Sequence, residues 1–150
     1  FIENVEPSQL DSASGESPAF WSGTGTIMVV DDEEFLRTLL TQILERHGFQ
    51  VLQASDGQEA LRIFQGLQRI DLVLLDLRMP RMDGFETCQA LRALDPKVPI
   101  LMMSGHQDSS LVAGKATLGI QGVLQKPFQS GELRDLLRQI LDPANLQEGR

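Results

Sequence analysis

Cysteine is nearly absent. Cys88 is the only one, so no internal disulfide can form, and its place in a helical pattern makes it a small buried or half-buried side chain rather than a reactive thiol. No apolar stretch approaches the ~20 residues of a membrane span, and no basic-then-apolar leader opens the chain. Basic blocks are missing too: net charge is −8 over 150 residues, a field that repels nucleic acid. There is no G-x-x-x-x-G-K-[ST] phosphate loop and no internal repeat. These absences leave one soluble, cytoplasmic domain with no direct contact with nucleic acid or membrane. Phe1 stands where an initiator Met would, so a piece of a longer protein is expected, and that parent protein could itself be attached to a membrane.

What is present is a set of hydrophobic runs that each stop at a polar side chain. Ile27-Met28-Val29-Val30 runs into Asp31-Asp32, Leu72-Val73-Leu74-Leu75 into Asp76, and Ile100-Leu101-Met102-Met103 into Ser104; the weaker Val123-Leu124-Gln125 runs into Lys126. Short, near-continuous apolar runs indicate strands buried on both faces, as in a parallel sheet between helices. Ligands in such sheets bind at the carboxyl ends of the strands. Three carboxylates, a hydroxyl and an ammonium group therefore gather at one rim.

Residues 1–25 are rich in Ser, Gly, Pro and acid and are expected to form a largely flexible linker, interrupted by the aromatic pair Phe20-Trp21. A domain follows over 26–141, with strands at 26–30, 50–54, 72–76 and 100–104 and a short fifth ending at Lys126. Helices are expected at 33–46, from Asp56-Gly57 through Phe64, at 84–94 and at 132–141. A further helix after Ser104 is weak, because Gly114 and Gly119 interrupt it. Residues 142–150 are expected to form a C-terminal tail, too short for a DNA-binding output domain.

Three carboxylates within ~5 Å of each other repel by about 3 kcal/mol per pair at an effective dielectric near 20, so they call for a cation or a proton. A hard oxygen cage with few protein ligands suits Mg²⁺ completed by phosphate oxygens. Taken singly, each group has a plainer reading: Asp31-Asp32 as a helix cap, Ser104 as another, Lys126 as a solvated loop lysine. Asp76 resists one, since a buried apolar run does not end in a charge without a partner. Four such residues at four strand ends favour a phosphoryl site.

The chain from about Thr26 to Leu141 resembles a response-regulator receiver (CheY-like) domain of two-component signalling. The matching pieces are Val29-Val30-Asp31-Asp32-Glu33, Asp56-Gly57, Asp71-Leu72-Val73-Leu74-Leu75-Asp76, Met79-Pro80 with Met82-Asp83-Gly84, Met103-Ser104-Gly105 and Lys126-Pro127-Phe128. The resemblance implies an α/β fold, a doubly wound five-stranded parallel sheet in the order 2-1-3-4-5 with five helices. It makes Asp76 the phosphorylated residue, Asp31, Asp32, Asp76 and the Arg78 backbone carbonyl the Mg²⁺ ligands, Ser104 and Lys126 the phosphoryl-binding switch pair, and Lys126-Pro127 a cis peptide. It also implies a phosphoacceptor rather than an enzyme, with a histidine kinase or histidine phosphotransfer domain as phospho-histidine donor; a homodimer is compatible with the sequence. One position departs from the family. Val123 stands three residues before the lysine, where Tyr or Phe is common, and a β-branched aliphatic cannot swing as an aromatic does, so a muted conformational change is expected.

The junction Trp21-Ser22-Gly23-Thr24-Gly25-Thr26-Ile27 resembles the point where hybrid sensor histidine kinases attach a C-terminal receiver; a stand-alone single-domain regulator is the alternative. Two rival classes remain. Phosphatases of the haloacid dehalogenase type also use a strand-end Asp, but they want a second Asp two residues on, where Arg78 stands. A phosphorylation-independent interaction module on this fold is opposed by the intact acidic cluster and lysine.

Overall fold

Strands that are apolar along their whole length need cover on both sides, and the chain supplies it by alternating strand and helix. The computed structural model describes residues 23–105 and 119–141. The expected linker up to residue 22 with Phe20 and Trp21, the helix expected after Ser104, and the 142–150 tail lie outside the described residues. The elements are β1 (Thr26–Val30), α1 (Glu34–Arg46), β2 (Gln50–Ala54), α2 (Gly57–Phe64), β3 (Leu72–Asp76), α3 (Gly84–Leu94), β4 (Ile100–Ser104), β5 (Gly122–Gln125) and α4 (Ser130–Leu141). All strand pairs are parallel, in the order β2-β1-β3-β4-β5, as expected. No helix among the described residues is long and apolar enough to cross a membrane.

Period-two alternation divides the strands between two cores. Met28, Val30, Val73, Leu75, Ile100 and Met102 pack with Ala60 of α2 and with Cys88 and Leu91 of α3. Ile27, Val29, Leu72, Leu74, Leu101 and Met103 pack with Leu40 and Leu44 of α1 and with Leu133 and Leu137 of α4. The three central strands are buried along their whole length, whereas edge strand β2 exposes Gln50 and Gln53. Cys88 is fully buried.

Local chemistry sets the helix ends. Helix α1 ends in a Schellman motif: Gly48 takes φ +98°, its N–H donates to Glu45 O (3.0 Å), and the Phe49 N–H donates to Leu44 O (3.1 Å). Asp56 caps α2 through the Glu59 N–H at 2.8 Å, and Asp83 and Glu86 form a capping box on α3. Helix α4 begins two residues before the expected start at 132. The Glu132 carboxylate accepts the Gln129 N–H (2.9 Å), which places Glu132 at the third position of the first turn rather than at its head. Arg92 ties the end of α3 to the approach of β5, donating to Val98 O and Gly119 O, each at 2.6 Å.

Two glycines predict opposite effects of the same substitution. A Cβ on Gly84 would lie 2.6 Å from Asp76 O and 2.7 Å from the Leu77 Cα, backbone that cannot yield, so Gly84→Ala is expected to destabilise by about 1–3 kcal/mol. A Cβ on Gly131, inside α4, would meet nothing nearer than 3.7 Å, so Gly131→Ala should stabilise by about 0.4–1 kcal/mol. Urea midpoints of the two variants, measured against the parent, check both signs.

Candidate functional site

Parallel strands in register bring their carboxyl ends to one edge, and the polar groups that terminate them meet there. Asp31 follows β1 and Asp32 comes next; Asp76 closes β3. One carboxylate oxygen from each of the three lies within 4.8 Å of the others. Asp31 and Asp76 are buried, the latter 4% exposed, while Asp32 faces solvent. Lys126, immediately after β5, reaches both buried carboxylates: its Nζ is 3.1 Å from Asp76 Oδ1 and 3.5 Å from Asp31 Oδ2. The Lys126–Pro127 peptide is cis. Asp76 pairs in register with Met103, so Ser104 lies one residue farther along the neighbouring strand. Ser104 is buried, and its carbonyl accepts the Lys126 N–H at 2.7 Å.

Asp31 is held by its main chain and by one side-chain oxygen. Its N–H donates to Ala54 O at 3.1 Å, its carbonyl accepts from Arg37 Nη1 at 2.8 Å, and its Oδ1 accepts the Glu33 N–H at 2.8 Å. Oδ2 is left as a buried oxygen with no hydrogen bond, its nearest cation Lys126 at ion-pair distance. An orphaned buried carboxylate oxygen beside two further carboxylates is the donor set a small hard cation takes, so these residues fit Mg²⁺. The Arg78 backbone N–H bonds to the Asp76 carboxylate, and Arg78 as a residue is exposed. The loop carrying it is pinned at both ends: the Leu77 N–H donates to Met103 O (2.9 Å) and the Gly84 N–H to Leu77 O (2.8 Å). Val123 is half-buried and packs against the core on the α2/α3 side, in register with Met102.

Charge balance at the rim is unfavourable. Burial first, then the Asp31 charge, raise the Asp76 carboxyl to about 6 against the opposing pull of Lys126. Burial likewise raises Asp31. Burial acts to lower Lys126, but Asp76 and Asp31 outweigh it and hold the ammonium form above its usual range.

Of the residues expected at the site, Asp31, Asp32, Asp76 and Lys126 converge as a group, and Ser104 and Arg78 flank them. Arg37 was not foreseen. As a charged residue on a helix it passes for a solvated side chain; its one sequence signal is a cation near the helix N-terminus, where the dipole disfavours it.

Residues 27–138 match the family model of the response regulator receiver domain. The chain is 39% identical over 115 residues to the alkaline phosphatase synthesis transcriptional regulatory protein PhoP of Bacillus subtilis, covering 77% of this chain and 48% of that protein. It is 33% identical over 115 residues to sporulation initiation phosphotransferase F of the same organism, covering 77% of this chain and 92% of that one. It thus spans about half of the first relative and nearly all of the second. Among solved structures, a response regulator receiver domain protein from Clostridium thermocellum superposes with a TM-score of 0.76 at 27% identity over 82% of this chain and 98% of the other. The chemotaxis protein CheY4 of Vibrio cholerae does so with 0.74 at 31% identity over 79% and 100%. The chain belongs to the receiver domains of two-component response regulators, which are phosphoacceptor modules.

The raised Asp76 carboxyl carries a stability signature. An unfolded Asp titrates near ~3.9, so between that value and about 6 the folded, metal-free protein holds a proton that the unfolded chain has released. Stability therefore falls as pH rises through this window and stays lowered above it. Asp76→Asn removes the buried charge, and its urea midpoint in chelator at about pH 7.5 is expected above the parent's, the gap closing towards about pH 4. A variant midpoint below the parent's at the higher pH would show that the Lys126 pair dominates instead.

Proposed function

We propose that Asp76 accepts a phosphoryl group from a phospho-histidine on a histidine kinase or histidine phosphotransfer domain. The observation that supports this best is the Lys126 ammonium 3.1 Å from Asp76 Oδ1 beside a cluster of three carboxylates. The Asp76 carboxylate attacks phosphorus in line; an O–P bond forms, and the P–N bond to the donor imidazole breaks with its electron pair staying on the ring. Asp31, Asp32, Asp76 and the Arg78 carbonyl would hold Mg²⁺, which when bound offsets the charge of the carboxylates and of the phosphoryl oxygens. Lys126 supplies a fixed positive charge to one transferred oxygen, and the Ser104 hydroxyl a hydrogen bond. The added charge draws Ser104 towards the phosphoryl group, and the β4–β5 face passes on the change.

Incubation with acetyl phosphate and Mg²⁺, followed by intact mass, tests this: the parent gains one phosphoryl group and Asp76→Asn gains none. A parent without a stable adduct that steadily turns over a phosphoester would point to a hydrolase. A parent that neither binds Mg²⁺ nor is modified would point to an interaction module.

The place of the domain in its parent protein has two readings. The Trp21-to-Ile27 junction supports a C-terminal receiver of a hybrid sensor histidine kinase. The relatives support a response regulator, whether single-domain or extended: PhoP is named a transcriptional regulator and covers about twice the matched length, whereas sporulation phosphotransferase F is matched almost entirely. Coding sequence upstream of Phe1 and downstream of Arg150 distinguishes them, by an ATP-binding domain before the receiver or a DNA-binding domain after it.

Val123 in place of an aromatic limits the switch to Ser104 and its loop. Amide exchange with and without beryllofluoride is expected to change little around Val123, and large protection changes there would overturn the reading.

A further inference from the structure

We infer that Arg37 is a positioning residue for the metal-binding acids, acting through the Asp31–Asp32 peptide. The inference rests on the Mg²⁺ reading of the site given above. Arg37 is the fourth residue of α1, near the positive end of the helix dipole, which disfavours a cation. Two bonds compensate it: Nη1 donates to the Asp31 carbonyl at 2.8 Å, and Nε to Gln53 Oε1 on β2 at 3.2 Å. The first is a charge-assisted bond to the peptide that joins the two acids. The second anchors the guanidinium to the strand whose last residue, Ala54, accepts the Asp31 N–H (3.1 Å).

The geometry separates two roles. Arg37 bonds the carbonyl of Asp31 rather than its carboxylate, whose Oδ1 is taken by the Glu33 N–H and whose Oδ2 is left open. The Asp31 carbonyl shares its peptide plane with the Asp32 N–H, so a bond to it resists rotation about the Asp31 Cα–C bond, the torsion that would shift the backbone from which the exposed Asp32 projects beside the other two carboxylates. Fixing the carbonyl narrows the positions that Asp32 can take. A rigid planar donor with two separate N–H directions suits this task, and a flexible lysine does so less well.

A bystander cation and a positioning residue make opposite predictions. A bystander charge beside the cluster repels Mg²⁺, so neutralising it tightens binding; a positioning residue, once removed, lets Asp32 stray and weakens binding. The test uses the full chain, with Mg²⁺ titrated calorimetrically into the parent, Arg37→Gln and Arg37→Lys, and each fold checked by its urea midpoint in chelator. Arg37→Gln is expected to weaken Mg²⁺ about tenfold or more, with Arg37→Lys intermediate. Phosphorylation by acetyl phosphate should return towards the parent rate when Mg²⁺ is raised to saturation, since only presentation of the metal ligands was lost. Unchanged or tighter Mg²⁺ binding by Arg37→Gln overturns the assignment. So does a lowered urea midpoint with unchanged affinity, which marks a bolt between α1 and β2 and nothing more. Absence of Mg²⁺ binding by the parent overturns the metal reading itself and this inference with it, an outcome distinct from the other two.

Discussion

One ammonium group shared by two buried carboxylates is the constraint around which the rest of the molecule is arranged. Lys126 reaches Asp76 at 3.1 Å and Asp31 at 3.5 Å, yet a single positive charge cannot balance both together with the neighbouring Asp32. Removing charge from water is expensive, and this attraction offsets only part of the penalty. The sheet enforces the arrangement nonetheless. Its three central strands are buried along their whole length, and the helices packed on both faces leave the strand ends no freedom to drift apart. Stability elsewhere holds together a cluster that would disperse on its own, the usual relation between a scaffold and a reactive site.

The walls of this site differ in how firmly they are held. On the β1 side, Asp31 is bonded through its N–H, its carbonyl and one side-chain oxygen. On the β3 side, Gly84 sits so close to Asp76 O and Leu77 that no side chain fits, which locks the start of α3 onto the loop after Asp76. On the β4–β5 side the strand pairing continues past its last register pair through the bond from the Lys126 N–H to Ser104 O, which ties the hydroxyl-bearing and ammonium-bearing strand ends to each other. A change of charge on Asp76 thus acts on a rim with two rigid walls and one coupled pair.

Strands were the most legible part of the sequence, because a run apolar on both faces has few alternatives and its terminal charge marks the rim. Asp31, Asp76 and Lys126 were readable for that reason. The strand order itself came from resemblance, since periodicity does not encode which strand lies beside which. Fine boundaries were less legible. Strand β5 starts at Gly122, a residue with no side chain to report burial, where an added Cβ would sit 3.2 Å from Leu101 Cδ1. The start of α4 was misplaced because Glu132 reads as a first-turn acid without saying which position of the turn it fills. Arg37 and Arg92 were invisible as structural residues, since each acts on backbone carbonyls, and carbonyls are the same at every position of the sequence.

The burial that makes Asp76 a costly residue also suits it to the phosphoacceptor role proposed above. A surface carboxylate near ~3.9 is fully ionised at neutral pH but weakly basic, and so weakly inclined to attack phosphorus. Burial and the Asp31 charge lift Asp76 to about 6 in the metal-free protein. That still leaves the ionised form in excess at neutral pH while raising its basicity. A higher value would protonate the nucleophile, and a lower one would blunt it. Lys126 keeps the balance: without its opposing charge, burial and the Asp31 charge would push the carboxyl further up, towards the neutral form. The same ammonium that lets two carboxylates share one pocket therefore keeps one of them ionised.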